Sequence, residues 1–273
     1  MSLTVLKQRV GRKLLRLRNP ISPSQTRSAL GSLLGSGVDL LFVHSSLSTL
    51  GSFTAGVPDA VAALGEVSGT LGMPTHSYTY PEAPGEPAPV FDPAMTPSAN
   101  GILTETFRAS RGTRRSVHST HSLALRGPLE RLTEGHADCE TPCGAGTPYE
   151  RMIEAKASAL MFGVTFHAYT FYHTAEDAAG SPFAYEPETR DRLRVLGADG
   201  QVQERISRRQ TRDLRRFAAC GDLMEAKGLV RRAPLGAGWL LFTPDVAKAH
   251  DFLVERLRRT PDFLYLNCTA PLA

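Results

Sequence analysis

The sequence predicts an α/β fold, and three features point to it. Apolar runs of strand length alternate with stretches whose apolar residues recur at helical spacing. Polar, histidine-bearing turns follow several of those runs, at the strand ends where open α/β sheets bind ligands. The 273 residues are enough for one large domain or for a domain with a smaller attachment.

The opening stretch, MSLTVLKQRVGRKLLRLRNP, sets leucines at helical spacing among basic side chains. It lacks a continuous apolar core and a small-residue cleavage site, so an amphipathic helix is expected and a signal peptide is not. Ser22-Pro23-Ser24 caps a helix running to about Leu34, which stops at Gly35-Ser36-Gly37. Asp39 to Val43 then reads as a buried strand whose continuation turns polar at Ser45 and Ser46. A helix over Val57 to Val67, with Pro58 in its first turn, follows Gly51 and Gly56. Such a turn can present N–H groups and hydroxyls to an anion, although an ordinary capped turn reads the same way.

Gly69 to Thr79 repeats the arrangement and ends on Pro74-Thr75-His76-Ser77. The proline-rich stretch from Pro81 to Pro97 predicts a long irregular excursion, and Asn100 to Ser110 a helix with Leu103 and Phe107 inward. Arg114 to Pro128 brings His118, His121 and an alternating strand from His121 to Leu125. Thr147 as N-cap, Pro148 and Glu150 open a helix from Tyr149 to Lys156.

The chain is organised around Ser158 to Asp177. An apolar strand, Ala159 to Val164, leads to His167 and then to His173, Glu176 and Asp177. If Tyr172 to Ala179 is helical, His173 and Glu176 stand at i and i+3 on one face, about 5–6 Å apart at Cβ. Six of the eight histidines fall on or near strand ends: His44, His76, His118, His121, His167 and His173.

From Pro182 the texture changes, and 181–273 reads as a smaller C-terminal subdomain beside a 1–180 core. Leu193 to Ile206 alternates about Ala198-Asp199-Gly200, suggesting a type I′ hairpin turn. A helix from Thr211 to Lys227 ends at Gly228. Two short strands, Leu229 to Arg232 and Trp239 to Thr243, precede a helix from Pro244 to Arg259.

The formal charge of +4 rests mostly on arginine, dense at Arg205, Arg208, Arg209, Arg212, Arg215, Arg216, Arg231 and Arg232. These read as a solvated helix face or as a docking surface for phosphate or an acidic carrier. No nucleic-acid motif accompanies them. The apolar runs, such as the one within 39–43, fall far short of the roughly 20 residues needed to cross a bilayer, so a cytoplasmic protein is the default expectation. Cys139 and Cys143 have no second close Cys or His pair to complete a zinc site, and no metal is expected.

Acyl transfer from a thioester to an amine requires a pyrophosphate cradle, a base for the amine and donors for the developing oxyanion. The serine turn offers the first and His173 the second. At this point the chain resembles the aminoglycoside 3-N-acetyltransferase family, also called the antibiotic N-acetyltransferases. VHSSLSTLG (Val43 to Gly51), LGMPTHSYT (Leu71 to Thr79), FDPAMTP (Phe91 to Pro97), RRSVHSTHSLALRGP (Arg114 to Pro128), TPCGAGTPYERM (Thr141 to Met152) and HTAED (His173 to Asp177) carry the resemblance. It covers about Asp39 to Asp177 well and the C-terminal third loosely.

The resemblance implies a central mixed sheet flanked by helices with a smaller C-terminal α+β attachment, distinct from the small GNAT-type acetyltransferase fold. It implies transfer from acetyl-CoA, or another acyl-CoA, to a small-molecule amine by a monomer or homodimer. His173 is then the catalytic base and Glu176 its partner. Ser45, Ser46, Leu47, Thr75, Ser116, Val117 and His118 would hold the coenzyme, and His76, Tyr78 and Asp177 the acceptor. One departure is Ser119, where the family pattern has Pro.

An aminoglycoside is a polycation, and acids such as Glu82, Glu86, Glu176, Asp177, Glu186 and Glu188 could line a groove for it. The alternative keeps the chemistry and changes the acceptor to a biosynthetic amine, with a larger acyl group or a donor carried by an acyl carrier protein. Two further classes remain open at this stage: a binding protein that has lost turnover, and a metal-dependent hydrolase using the clustered histidines.

Overall fold

The computed structural model describes residues 20–83, 86–211 and 217–265. The expected N-terminal helix, Arg212, Arg215, Arg216 and Cys268 lie outside the described residues.

The strands in chain order are β1 (Pro20–Ile21), β2 (Val38–Ser45), β3 (Ser52–Phe53), β4 (Ser68–Pro74), β5 (Val90–Phe91), β6 (Arg114–Arg115), β7 (Leu123–Arg126), β8 (Ser158–Phe162), β9 (Tyr185–Leu196), β10 (Val202–Gln210), β11 (Arg231–Leu235) and β12 (Gly238–Thr243). The helices are α1 (Pro23–Leu34), α2 (Gly56–Glu66), α3 (Ile102–Arg108), α4 (Pro148–Glu154), α5 (Phe171–Ala178), α6 (Phe217–Ala226) and α7 (Val246–Arg259). Local chemistry sets several boundaries. Ser22 and Gln25 form a reciprocal capping box before α1, with Pro23 in its first turn. Thr147 caps α4 by accepting from the Glu150 amide.

Seven strands form a mixed sheet in the order β11-β12-β8-β2-β4-β7-β6. At its centre β2 pairs in parallel with both β4 and β8, while β7 and β12 run antiparallel to their neighbours. The two-residue period of β2 sorts its side chains between two cores. Leu40 and Phe42 join α4, α5, α6 and α7 on one face. Leu41 and Val43 join α1, α2 and α3 on the other. The fold is thus a helix–sheet–helix sandwich, the expected mixed sheet flanked by helices.

The C-terminal third is divided between two places. β9 and β10 form an antiparallel hairpin that, with β5 added in parallel, makes a separate three-stranded sheet. β11 and β12 instead extend the main sheet through the β12–β8 pairing, and α7 buries Leu253 and Leu257 in the same core as Met161. A cut at 180/181 would therefore pass through one hydrophobic core. The hairpin turn also differs from the type I′ expectation. Gly200 alone in it has positive φ (+77°), and its amide bonds Gly197 O. That is a type I turn closed by one left-handed residue, whereas type I′ needs two. Arg205, Arg208 and Arg209 lie on β10, and Arg231 and Arg232 on β11, so these five belong to strands and not to a helix face.

Gly127 shows how tightly the β4–β7 edge is built. Its φ is +131°, and a Cβ placed there would lie 2.5 Å from Gly69 O and 2.8 Å from Thr70 Cα, both backbone atoms that cannot step aside. Gly127→Ala is expected to cost about 1–3 kcal/mol, read as a lower urea midpoint at unchanged m.

Candidate active site

Three parallel strands end together, and the turns after them meet. His44 and Ser45 close β2, His76 and Tyr78 follow β4, and Tyr169 and Thr170 follow β8. Because β7 is antiparallel to β4 and pairs Leu123 with Pro74, His121 just before it arrives at the same edge. With His173 on α5, Asn100 and Phe217, these residues line a cavity of about 140 Å³.

His173 and Glu176 meet as their spacing predicts: Nδ1 lies 2.8 Å from Glu176 Oε2. Glu176 has no exposed surface, and its other oxygen lies 2.8 Å from the Tyr265 hydroxyl. A carboxylate there holds the proton on Nδ1, which leaves Nε2 as the basic atom of the ring. The ring also stands edge-on to Phe217 at 5.5 Å between centroids.

Around this pair His44, His76, His118, His121 and His136 are buried and neutral. Burial lowers His44 and His121 to about 3 and His136 to about 4. Burial, aided by neighbouring histidines, also holds His76 and His118 well below the ordinary histidine value. Hydrogen bonds fix the tautomers of His44 and His76. The Thr170 amide donates to His44 Nε2 at 3.1 Å, so the His44 proton sits on Nδ1. Tyr149 donates its hydroxyl proton to His121 O at 3.1 Å and therefore accepts from His76 Nε2 at 2.9 Å. His76 Nδ1 in turn accepts from the Tyr78 hydroxyl at 3.0 Å. Tyr78 itself has φ +50°, a strained conformation for a residue of its size.

The remaining sequence-predicted residues scatter. Ser45 lines the cavity, but Leu47 is buried in the core and the Ser46 amide is spent on Phe162 O. Thr75 is fully buried; its carbonyl receives Arg115 Nη2 at 2.6 Å. Ser116 is buried against His136 Nδ1 at 2.8 Å, and His118 packs on the His136 ring at 4.6 Å. Val117 lines a different cavity of about 340 Å³ with Arg114, Arg115 and Arg205. Asp177 is occupied by the Ala145 amide at 2.9 Å and the Tyr185 hydroxyl at 2.6 Å, and it does not line the histidine cavity.

Asn100, His121, Tyr169, Thr170 and Phe217 line the site without having been assigned to it from sequence, and Tyr265 supports it from the far end of the chain. Of the lining residues given no role from sequence, His44, His121 and His167 carried a signal, their place on or near strand ends. Among the described residues, no group of three or more His, Cys, Asp or Glu is placed to hold a metal ion, and no helix is long and apolar enough to cross a membrane.

The family model for aminoglycoside 3-N-acetyltransferase matches residues 42–258. The chain belongs to this family. It is 32% identical over 185 residues to the aminoglycoside N(3)-acetyltransferase III of Salmonella sp, covering 60% of this chain and 62% of the relative. The aminoglycoside N(3)-acetyltransferase III of Serratia marcescens is 29% identical over 64% of this chain and 72% of its own length. The chain thus spans about three fifths of the first of these relatives. Among solved structures, aminoglycoside acetyltransferase AAC(3)-Xa superposes with a TM-score of 0.77 at 24% identity, covering 92% of this chain and 98% of its own. AAC-IIIb in a binary complex with CoASH gives the same TM-score and identity over 91% and 99%. These two likenesses establish the fold of the family.

The five buried histidines make acid stability predictable. Their native pKa values lie below the unfolded value near 6.5, so the unfolded chain takes up protons first as pH falls. Stability is full above about pH 6.5 and is lost below it, by up to about 1.4 kcal/mol per pH unit for each histidine. Urea midpoints measured from pH 7.5 down to 5 are expected to fall, and His136→Gln is expected to flatten the slope by one proton.

Proposed function

We propose that the chain transfers an acetyl group from acetyl-CoA to an amino group of an aminoglycoside or related antibiotic, with His173 as general base. The observation that carries this reading is the His173–Glu176 pair, a buried carboxylate holding the proton on Nδ1 while the ring lines the cavity at the strand ends. Acetyl-CoA, when bound, supplies an activated acyl carbon. The amine's proton passes to Nε2 of His173 as the carbon–nitrogen bond forms. The carbon–sulfur bond then breaks, and the same proton can be returned to the departing thiolate. Glu176 stabilises the imidazolium between these two transfers.

Ser45 is the predicted coenzyme contact that this cavity supports, and His76 and Tyr78 are the predicted acceptor contacts. The arginine-lined cavity beside Val117 is a second place for an anionic part of the donor, and the assembly is expected to be a monomer or homodimer.

A second reading keeps the chemistry and replaces the polycationic drug by a biosynthetic amine, with a larger acyl group or a carrier-protein-bound donor. The ion pairs of the hairpin favour it. Arg209 takes Asp191 and lies 3.9 Å from Glu186, and Arg192 takes Glu204 at 2.9 Å, so acids that could grip a polycation already face arginines. Calorimetric titration with acetyl-CoA, followed by thiol-release assays against aminoglycosides and small amines, decides between the two. His173→Ala is expected to lower kcat by about 10²–10⁴ with acetyl-CoA binding retained. Binding without turnover of any aminoglycoside would move the acceptor to the second reading, and absence of binding would overturn the acetyl-CoA-dependent reading.

A further inference from the structure

Among the described residues, His44 is the cavity histidine with a buried ring nitrogen that has no hydrogen-bond partner. It closes β2 on the face shared with Leu40 and Phe42, is 2% exposed, and sits edge-on to Phe42 at 5.2 Å. Its Nε2 receives two groups of one residue, the Thr170 amide at 3.1 Å and the Thr170 hydroxyl at 3.0 Å. An amide can only donate, so Nε2 is the acceptor and the neutral ring carries its hydrogen on Nδ1. That Nδ1 is buried and has no partner among the described residues. A buried donor left unpaired is costly, and in a native protein it calls for a partner that arrives.

The placement supplies a reason. Thr170 is the N-cap of α5, the helix that carries His173 one turn on. His44 is therefore locked to the element that holds the base, and both rings line the same cavity. A fixed, neutral N–H on a ring that lines the same cavity as the base suits a carbonyl oxygen that gains negative charge as an amine attacks. Such a donor needs no reorganisation during the reaction.

We propose that His44 is a catalytic residue of this site, donating from Nδ1 to the acyl carbonyl oxygen while His173 accepts the amine's proton. The proposal rests on the acyl-transfer reading above and adds the residue that receives the oxygen's charge. The bonds made and broken are unchanged, since His44 keeps its proton throughout.

The two nitrogens can be separated by substitution. The amide of Asn reaches the position of Nδ1, whereas that of Gln reaches the position of Nε2. His44→Asn is expected to keep kcat within about 10-fold of the parent. His44→Gln and His44→Ala are expected to lose about 10²-fold in kcat with little change in the KM for acetyl-CoA. Thermal midpoints taken alongside report the loss of the Thr170 contact, which Gln can preserve and Asn cannot. A Gln variant as active as the Asn variant would show that His44 only anchors Thr170, and would overturn the proposal.

Nitrogen-15 spectra of the parent protein test the same point without a variant. Nδ1 protonated and shifted by acetyl-CoA is the expected result, and a proton on Nε2, or an Nδ1 signal that acetyl-CoA leaves unmoved, would overturn it. Failure of the parent to acylate any amine sinks the acyl-transfer reading itself. A parent that turns over while the Asn and Gln variants fail to separate sinks only the role of His44.

Discussion

Glu176 has no exposed surface, and a carboxylate in that position survives only if donors surround it. His173 supplies one from the same helix turn, and Tyr265 supplies another from beyond α7. The arrangement ties the middle of the chain to residues 89 positions later and fixes the ring of His173 in orientation and tautomer. Its cost is offset by the hydrogen bonds it organises, which hold one ring tautomer and tie α5 to the residues beyond α7.

The same economy governs the surrounding histidines. A protonated imidazole could not be buried beside others without strong repulsion and desolvation, so these rings stay neutral and act as rigid donors and acceptors. The chain Tyr78–His76–Tyr149–His121 carries hydrogen bonds in one direction only. His136 closes a second such unit, with Nδ1 facing Ser116 and Nε2 donating to Pro142 O at 2.9 Å. Networks of this kind favour one arrangement of loops around the cavity, since breaking a link would leave the buried groups it joins unpaired.

Charge is distributed on a different plan. The arginines that make the chain basic are held on strands, several against acids, as Arg205 is against Asp138 at 3.2 Å and Arg209 against Asp191. Arg115 is pulled inward instead. Burial lowers it to about 10, and it binds the carbonyls of Thr75 and Pro93 and stacks on Phe91. It is a tether for the proline-rich excursion before α3, a role that net charge could not reveal.

Local sequence by itself determined the elements and the contact between His173 and Glu176. Capping chemistry at Ser22 and Thr147, the continuous apolar runs of β2 and β8, and the i to i+3 spacing of His173 and Glu176 act over a few residues. They are therefore readable without knowing the fold. The motifs of the family extended that legibility to family membership. Tertiary structure alone decided the rest. Which strands ran antiparallel placed His121 beside His76, and the β12–β8 pairing drew the C-terminal third into the main core. The family resemblance implies that Leu47, Thr75 and Ser116 hold the coenzyme. In the fold their groups are spent on the core, Arg115 and His136. The difference is physical: hydrogen bonds within one turn are set by spacing, whereas those between residues tens of positions apart depend on strand register, which local sequence does not encode.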